Sequence, residues 1–518
     1  MNNPQSTSYD ALPYESFAFP ATHPDRLAVI GTLFGMAPQA LPKCRVLEIG
    51  CASGGNLLPM AMEMPDSEFV GIDLSTRQIQ DGQSLVQSLG LTNISLRAAD
   101  VMDIDRSIGE FDYIIVHGVF SWVPEPVQAR LLDLCRDLLR PQGIAYISYN
   151  TYPGWHFREI VREAMLFHTA QFDNPLDKIA QGRGMVNFLA QSVKDGASAY
   201  GIVLRTELAL LNQGRDSYVF HEYLESSNSP MYFHEFDRRV HASGLQYLGD
   251  VNLPTMFAAE FPPAVQETLG KIAGDIVRTE QYLDFLRNRS FRQTLLCHDG
   301  VPLQRTLDTE AVKQLFFSAR LQEIPRPDFH SGQPEAFRTP GGAIAHTAHP
   351  MTKAALYHLA RIWPQNISFP KLVDAARALV QTNDSAAGAE DVLAADLLTL
   401  ATTGLVKLRA RKLRLLAEVS DRPIASPLAR ELARRGNSVT SQKHEHIRLD
   451  DFGRHLITLL DGTRTQGELA DIVVQRFADG AFQLPAGVEG GSEQLAKFVD
   501  QLLVETLPRF AESALLIG

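Results

Sequence analysis

From residue 44 to residue 150 the chain alternates short β-branched runs with helical stretches, the signature of a parallel sheet covered by helices. The runs are "RVLEIG", "EFVGIDLS", "ISLRAAD", "EFDYIIVHG" and "IAYISYN". A polar helix spans Thr76 to Leu89. "PVQARLLDLCRDLLR" places apolar residues at helical spacing until "PQG" stops it. The spacing predicts five parallel strands packed into this one stretch.

The turn after the first run, "GCASGGN" (Gly50 to Asn56), decides what such a sheet can hold. A dinucleotide fingerprint, GxGxxG, needs its second glycine so that backbone can approach a pyrophosphate. Ala52 stands in that place, while Gly50, Gly54 and Gly55 remain and Glu48 precedes them. The loop still bends sharply beside a helix N-terminus, which favours an anion. That anion need not be a phosphate.

The other strand ends narrow the ligand, since open parallel sheets bind at the carboxyl ends of their strands. Asp73 ends the second run, suited to both hydroxyls of a ribose. Asp100 ends the third, where a carboxylate accepts from an adenine amino group while the Val101 N–H reaches a ring nitrogen. Glu48 can brace the loop or meet an ammonium. An adenosine with a zwitterionic amino-acid tail satisfies all of these, and S-adenosylmethionine is that molecule. The helix N-terminus after Gly54 then faces its carboxylate.

"VLEIGCASGGN", "GIDLS", "AAD", "FDYIIVHGVFSWV" and "LLRPQGIAYISYN", in this order, resemble the motifs of class I S-adenosylmethionine-dependent methyltransferases. The resemblance implies a Rossmann-like α/β domain and a cofactor set of Glu48, Gly50, Cys51, Ala52, Gly54, Asn56, Asp73, Leu74, Asp100, Val101, His117 and Gly118. "SYNTYPGWHFREIVREAMLFH", "EYLESSNSPMYFHEF" and "EQYLDFLRNRSFRQTLLCH" are similar to bacterial methyltransferases with a methyltransferase regulatory domain, including rickettsial protein-lysine methyltransferases of outer-membrane proteins. A protein substrate, its lysines the acceptors, is what that likeness implies. A small-molecule or natural-product acceptor is the second reading, and a non-catalytic regulatory or binding protein the third.

Methyl transfer is an in-line displacement at a sulfonium, so the protein chiefly aligns a nucleophile, and no metal is required. The acceptor is expected over the ends of the fourth and fifth runs. Tyr149, Asn150, His117 and Tyr14 are the catalytic candidates. Trp122, Tyr152 and Trp155 are candidates for an aromatic channel that attracts an alkylammonium, and an N-terminal segment with Tyr9, Tyr14 and Phe17 for a lid. His117 reads equally as a hydrogen-bonded strand-end residue, and both tryptophans as core fillers. The fourth run lacks the NPPY-like pattern of amide and adenine N-methylases.

Helical periodicity from about Phe157 to Leu211 reads as an insert within about 157–230, and "FRQTLLCH" as a final strand pairing beside "LQYLGDV". The expected organisation is a catalytic domain over 1–305, a methyltransferase regulatory domain over 306–420, helical and winged-helix-like, and a small helical or winged-helix module over 421–518. "LVKLRARKLRLL" reads as a hairpin. "LDDFGRHLITLLDGTRTQGEL" is similar to winged-helix modules that hold peptides in peptide-modifying systems, which implies substrate docking or control. The run Lys407, Arg409, Arg411, Lys412, Arg414 reads as a solvated hairpin face before a nucleic-acid wing. "HEYLE" (His221 to Glu225) and "HEH" (His444 to His446) lack the HExxH spacing, so capping or surface roles precede a metal.

A net charge of -12 argues against broad binding to nucleic acid or anionic lipid. Cys44, Cys51, Cys135 and Cys297 show no CxxC spacing and read as buried thiols. The N-terminus has neither a basic start nor an apolar core, and nowhere do 18 apolar residues run together. These features predict a cytoplasmic chain without membrane insertion; the oligomeric state is open.

Overall fold

The computed structural model describes residues 12, 13, 15–322, 325–381, 388–416, 418–483 and 493–518. Its central sheet has strands β1 (Arg45–Ile49), β2 (Glu68–Asp73), β3 (Ile94–Ala98), β4 (Phe111–Val116), β5 (Leu139–Asn150), β6 (Leu245–Asp250) and β7 (Phe291–His298). Their order across the sheet is β3-β2-β1-β4-β5-β7-β6. The first five run parallel, and β7 pairs antiparallel with both β5 and β6. All of β4 is buried, which is why its run reads as unbroken hydrophobic sequence.

β5 starts earlier than expected. Leu139 already pairs with Phe111, and the register then shifts, so "PQG" forms an irregularity inside the strand, with Pro141 and Gln142 exposed. Beyond it alternation is regular. Ile144 and Tyr146 join the core on one face, while Ala145, Ile147 and Tyr149 join the core on the other. Helices Pro24–Leu33, Leu57–Glu63 and Thr76–Ser88 cover the first face. Glu125–Leu138 and Phe233–Ala242 cover the second.

Helices Trp155–Thr169, Pro175–Ser192 and Ala199–Gln213, with a π-helical turn Phe220–Leu224, build the insert around their own core of Val161, Met165, Val186 and Tyr223. The segment after residue 305 behaves differently. Val312, Leu315, Phe317, Leu356, Leu397 and Leu405 belong to the same apolar cluster as Leu27, Tyr113 and Tyr146, so the core is continuous from the sheet into this unit. The unit contributes β8 (Phe316–Ser318), a hairpin of β9 (Glu335–Arg338) and β10 (Ile344–Thr347), β11 (Ile367–Ser368) and β12 (Lys407–Arg409).

"LVKLRARKLRLL" is not a hairpin, because β12 pairs with β8, whose other edge takes β11. Its basic run is neither wholly solvated nor a free wing. Arg409 pairs with Asp25 at 2.8 Å and Arg411 with Glu63 at 2.5 Å, both on the catalytic side, while Lys412 and Arg414 are exposed. The last unit packs helices Pro427–Arg435, Asp451–Leu459, Gln466–Ala478 and Glu493–Glu512 around a separate core. It carries a hairpin of β13 (Ser438–Thr440) and β14 (His446–Arg448). All four cysteines are buried and free. Among the described residues no helix is long and apolar enough to cross a membrane.

Candidate functional site

The carboxyl ends of β1 to β5 open into a cavity of about 590 Å³. Its near wall is the turn after β1. Gly50 sits at φ +78°, and a Cβ there would lie 2.3 Å from the Val119 side chain. Gly54 sits at φ +76° with Leu96 at 3.0 Å from a Cβ, so both positions suit glycine alone. Ala52 also takes the left-handed region, at φ +50°, and its N–H donates to Asp73 Oδ2 at 2.8 Å. The turn is thus tied to β2 through the residue that replaces the missing glycine.

Asp73 lines the cavity with its oxygens accepting from the Ala52 and Ser75 N–H groups, which fixes the carboxylate at the strand end. Leu74, Asp100 and Val101 line the same end, and Asp100 accepts from the Met102 N–H. Glu48 is buried at the opposite side. Its Oε1 accepts from Asn56 Nδ2 at 2.8 Å, while Oε2 is buried without a partner. Burial pushes this carboxyl up to about 8. An orphaned, deeply buried carboxylate oxygen is costly unless a cation arrives, and an amino-acid ammonium supplies one. The donor set therefore fits S-adenosylmethionine: Asp73 for the ribose, Asp100 and Val101 for the base, and Glu48 for the tail.

His117 forms part of the floor. Its Nδ1 lies 3.0 Å from the Tyr146 hydroxyl and 3.1 Å from Ser148 Oγ, and its ring packs on Phe19 at 4.0 Å. It keeps partial exposure to the cavity, yet enclosure pushes its pKa down to about 4, so it is neutral at physiological pH. Glu48, Gly50, Cys51, Ala52, Asn56, His117 and Gly118 all line the cavity. Gly54 does not reach it and acts through the turn.

The far end holds Trp122, Asn150 and Trp155, with Trp122 edge-on to Trp155 at 6.3 Å. Asn150 is buried, its Nδ2 donating to Asn228 Oδ1 at 3.0 Å. Tyr149 is elsewhere. As the neighbouring residue on a strand it faces the opposite core, stacked on Phe236 at 4.1 Å, with its hydroxyl 3.4 Å from Thr294 Oγ1. Tyr152 also lies outside the cavity, stacked on His156 at 3.9 Å and donating to Glu159 at 2.7 Å. Neither is among the residues that line the cavity. Phe17 lines the cavity with Glu15, Ser16 and Phe19, and Ser16 Oγ accepts from the Gly55 N–H at 2.8 Å. Tyr9 and Tyr14 lie outside the described residues.

Arg158 and Glu222 line the far end and were missed by sequence reasoning. Arg158 lies over the Trp155 ring at 5.1 Å and donates to Glu222 at 2.5 Å. Burial raises the Glu222 pKa against the opposing pull of Arg158. Both stand on the helical insert, where amphipathic spacing masks them as ordinary surface charges. His221 Nδ1 meets Glu225 at 2.8 Å and its Nε2 the Leu12 carbonyl at 2.7 Å. Among the described residues no group of three or more His, Cys, Asp or Glu side chains is placed to hold a metal.

Residues 46–143 match the family described as "Methyltransferase domain", and residues 421–515 match "PKMT, C-terminal winged helix domain". "Predicted methyltransferase regulatory domain" matches residues 215–298, ahead of the 306–420 segment for which that unit was expected. The chain is 35% identical over 523 residues to the uncharacterized protein RP789 of Rickettsia prowazekii, covering 98% of this chain and 93% of that one. The structure of PKMT2 from Rickettsia typhi superposes with a TM-score of 0.86 at 31% identity, covering 98% of this chain and all (100%) of that one. Its complex with AdoHcy matches at 32% identity and the same TM-score of 0.86.

Proposed function

Because this chain belongs to the S-adenosylmethionine-dependent methyltransferase family that includes PKMT2 from Rickettsia typhi, we propose that it methylates lysine side chains of a protein substrate. The carrying observation is the lining of the far end of the cavity, where Trp122, Trp155, Asn150 and Glu222 all take part, with Arg158 over the Trp155 ring and paired to Glu222. Aromatic faces and a carboxylate draw in an alkylammonium. A carboxylate whose pKa burial has raised is then suited to take the proton before attack, directly or through water.

The cofactor supplies an electrophilic methyl group on a sulfonium. Asp73 would hold its ribose, Asp100 and Val101 its base and Glu48 its amino-acid tail, and the neutral His117 adds no charge at the cavity floor. The Trp122–Trp155 wall and Asn150 align the amine. Its lone pair forms the new N–C bond as the C–S bond breaks, leaving S-adenosylhomocysteine. The rate should rise with pH, since an ordinary lysine amine has a pKa of about 10.4 and attacks only when neutral.

The enclosed volume also favours a second reading, a small acceptor seated wholly inside. Labelled S-adenosylmethionine, incubated with the protein and cell lysate, separates the two. Mass spectrometry is expected to find methyl groups on protein lysines. Label confined to small molecules, or on carboxylate, sulfur or nucleobase atoms, overturns the lysine reading.

A further inference from the structure

The "HEH" stretch sits at the tip of the β13–β14 hairpin and reaches across the molecule. His444 is 1% exposed, and its Nε2 lies 2.7 Å from Asn56 Oδ1 in the cofactor turn, 388 positions away. Asn56 Oδ1 also accepts from the Phe19 N–H at 3.0 Å and Thr22 Oγ1 at 3.1 Å. Its Nδ2 donates to Glu48. A side chain from the last unit therefore helps fix the amide that orients the carboxylate reserved for the ammonium.

The tip is built to hold this pose. His444 N–H donates to the Ser441 carbonyl at 2.9 Å, Ser441 N–H to the Glu445 carbonyl at 3.0 Å, and Ser441 Oγ accepts from the Lys443 N–H at 3.2 Å. His444 takes φ +61°, a left-handed position that a β-carbon disfavours and glycine or asparagine would occupy more cheaply. Its Nδ1 is buried with no partner. A strained backbone and an orphaned ring nitrogen together cost stability, which a surface turn has no reason to carry. Burial holds the imidazole neutral, so it donates from Nε2 without placing a charge near the site. Next to it, His446 packs on Phe17 at 4.4 Å, and Phe17 lines the cavity.

We propose that the hairpin tip of the C-terminal module is a working wall of the cofactor site: His444 is a positioning residue that sets Asn56, and through it Glu48, for the cofactor's ammonium. Docking of the module and binding of the cofactor then favour each other, as linkage requires. The inference rests on the cofactor assignment and is independent of the acceptor.

Calorimetry on the full chain tests it. His444→Ala should weaken S-adenosylmethionine binding about tenfold, the size of one hydrogen bond between buried groups. His444→Gln, which keeps a donor at nearly the same reach, should recover most of the affinity. In an Asn56→Ala background, His444→Ala should add little, because its effect passes through Asn56. A merely structural role predicts the same loss in both backgrounds and no rescue by glutamine; either result overturns the proposal, as does wild-type affinity in His444→Ala. Should the alanine variant fail to fold, hydrogen exchange on the unaltered protein decides. Saturating cofactor must slow exchange of the amides at 441–446 relative to the helix Gln466–Ala478 of the same module, and equal exchange with and without cofactor sinks the idea.

Discussion

The two ends of the cavity are built by different means. At the end proposed for the cofactor, Glu48, Gly50, Ala52, Asp73, Asp100 and Val101 come from successive strand ends within one continuous stretch, with Asp73 and Asp100 anchored by backbone N–H groups and Glu48 by the Asn56 amide. At the acceptor end, Trp122 and Asn150 come from the sheet, whereas Trp155, Arg158 and Glu222 come from the helical insert, positioned by side-chain pairs. On the proposed assignment, a ligand that never varies is met by side chains fixed at successive strand ends of the fold. An acceptor that differs among enzymes is held by an appendage that can differ too.

That contrast predicts unequal responses to mutation. The largest is at the cofactor end: Asp73→Ala removes both the ribose acceptor and the brace on Ala52, and should weaken cofactor binding about a thousandfold, the worth of two charge-assisted hydrogen bonds. Gly54→Val should act similarly by forcing a β-branched residue to φ +76° against Leu96. Calorimetry measures both, with circular dichroism to confirm the fold; near-normal affinity in either variant would break the distinction between the ends.

The same contrast explains what the sequence disclosed. Strand-end carboxylates and glycine turns are local signals, so Asp73, Asp100 and the Gly50–Asn56 turn could be picked out as candidates, and β7 could be set beside β6, though not its antiparallel direction. The irregularity in β5 was not, because "PQG" looks like a helix stop until Leu139 is seen to pair with Phe111. Arg158 and Glu222 were invisible for another reason. Nothing within a helix says that its charged residues face a cavity at the edge of a sheet. Arg409, Arg411 and His444 make the same point, since their partners Asp25, Glu63 and Asn56 lie hundreds of positions earlier.

A smaller effect is expected at the acceptor end. Glu222→Gln should lower kcat about a hundredfold if this carboxylate takes the amine's proton, and the residual rate should still rise with pH, since the amine must then lose its proton to solvent. Asn150→Ala should lower kcat less. Cofactor affinity should stay within about twofold in both, since their contacts matter to the acceptor. A matching loss of cofactor affinity would merge the two ends into one.

Smaller still is a pH effect that separates Glu48 from its neighbours. With the free carboxyl at about 8, most molecules at neutral pH carry a proton there. Pairing with an ammonium favours the ionised form, so binding expels that proton. Affinity should therefore rise with pH, by at most about tenfold per unit, and level off near pH 8. Calorimetry at neutral pH in buffers of different ionisation enthalpy should register proton release, and Glu48→Gln should abolish it. Buffer-independent heats would show that Glu48 is already ionised before the cofactor arrives.

The smallest expected effect is the sharpest test of how the site is drawn. Tyr149 and Asn150 are neighbours in β5, and strand alternation sends one into the apolar core and the other to the cavity. Tyr149→Phe removes only a hydroxyl whose contact is a 3.4 Å approach to Thr294 Oγ1, far from the cofactor turn. The stacked contact with Phe236 survives the change, so the loss in stability should stay under about 1 kcal/mol. Burial also holds the phenol's pKa far above its ordinary value, which leaves the group unable to serve as a base near neutrality. Turnover, cofactor affinity and the pH profile should all match the unaltered protein within about twofold, while Asn150→Ala slows the reaction. A reversed outcome, with Tyr149→Phe inactive and Asn150→Ala unchanged, would mean that β5 is displaced by one residue in the working enzyme, because a one-residue slip exchanges the faces of every side chain on a strand.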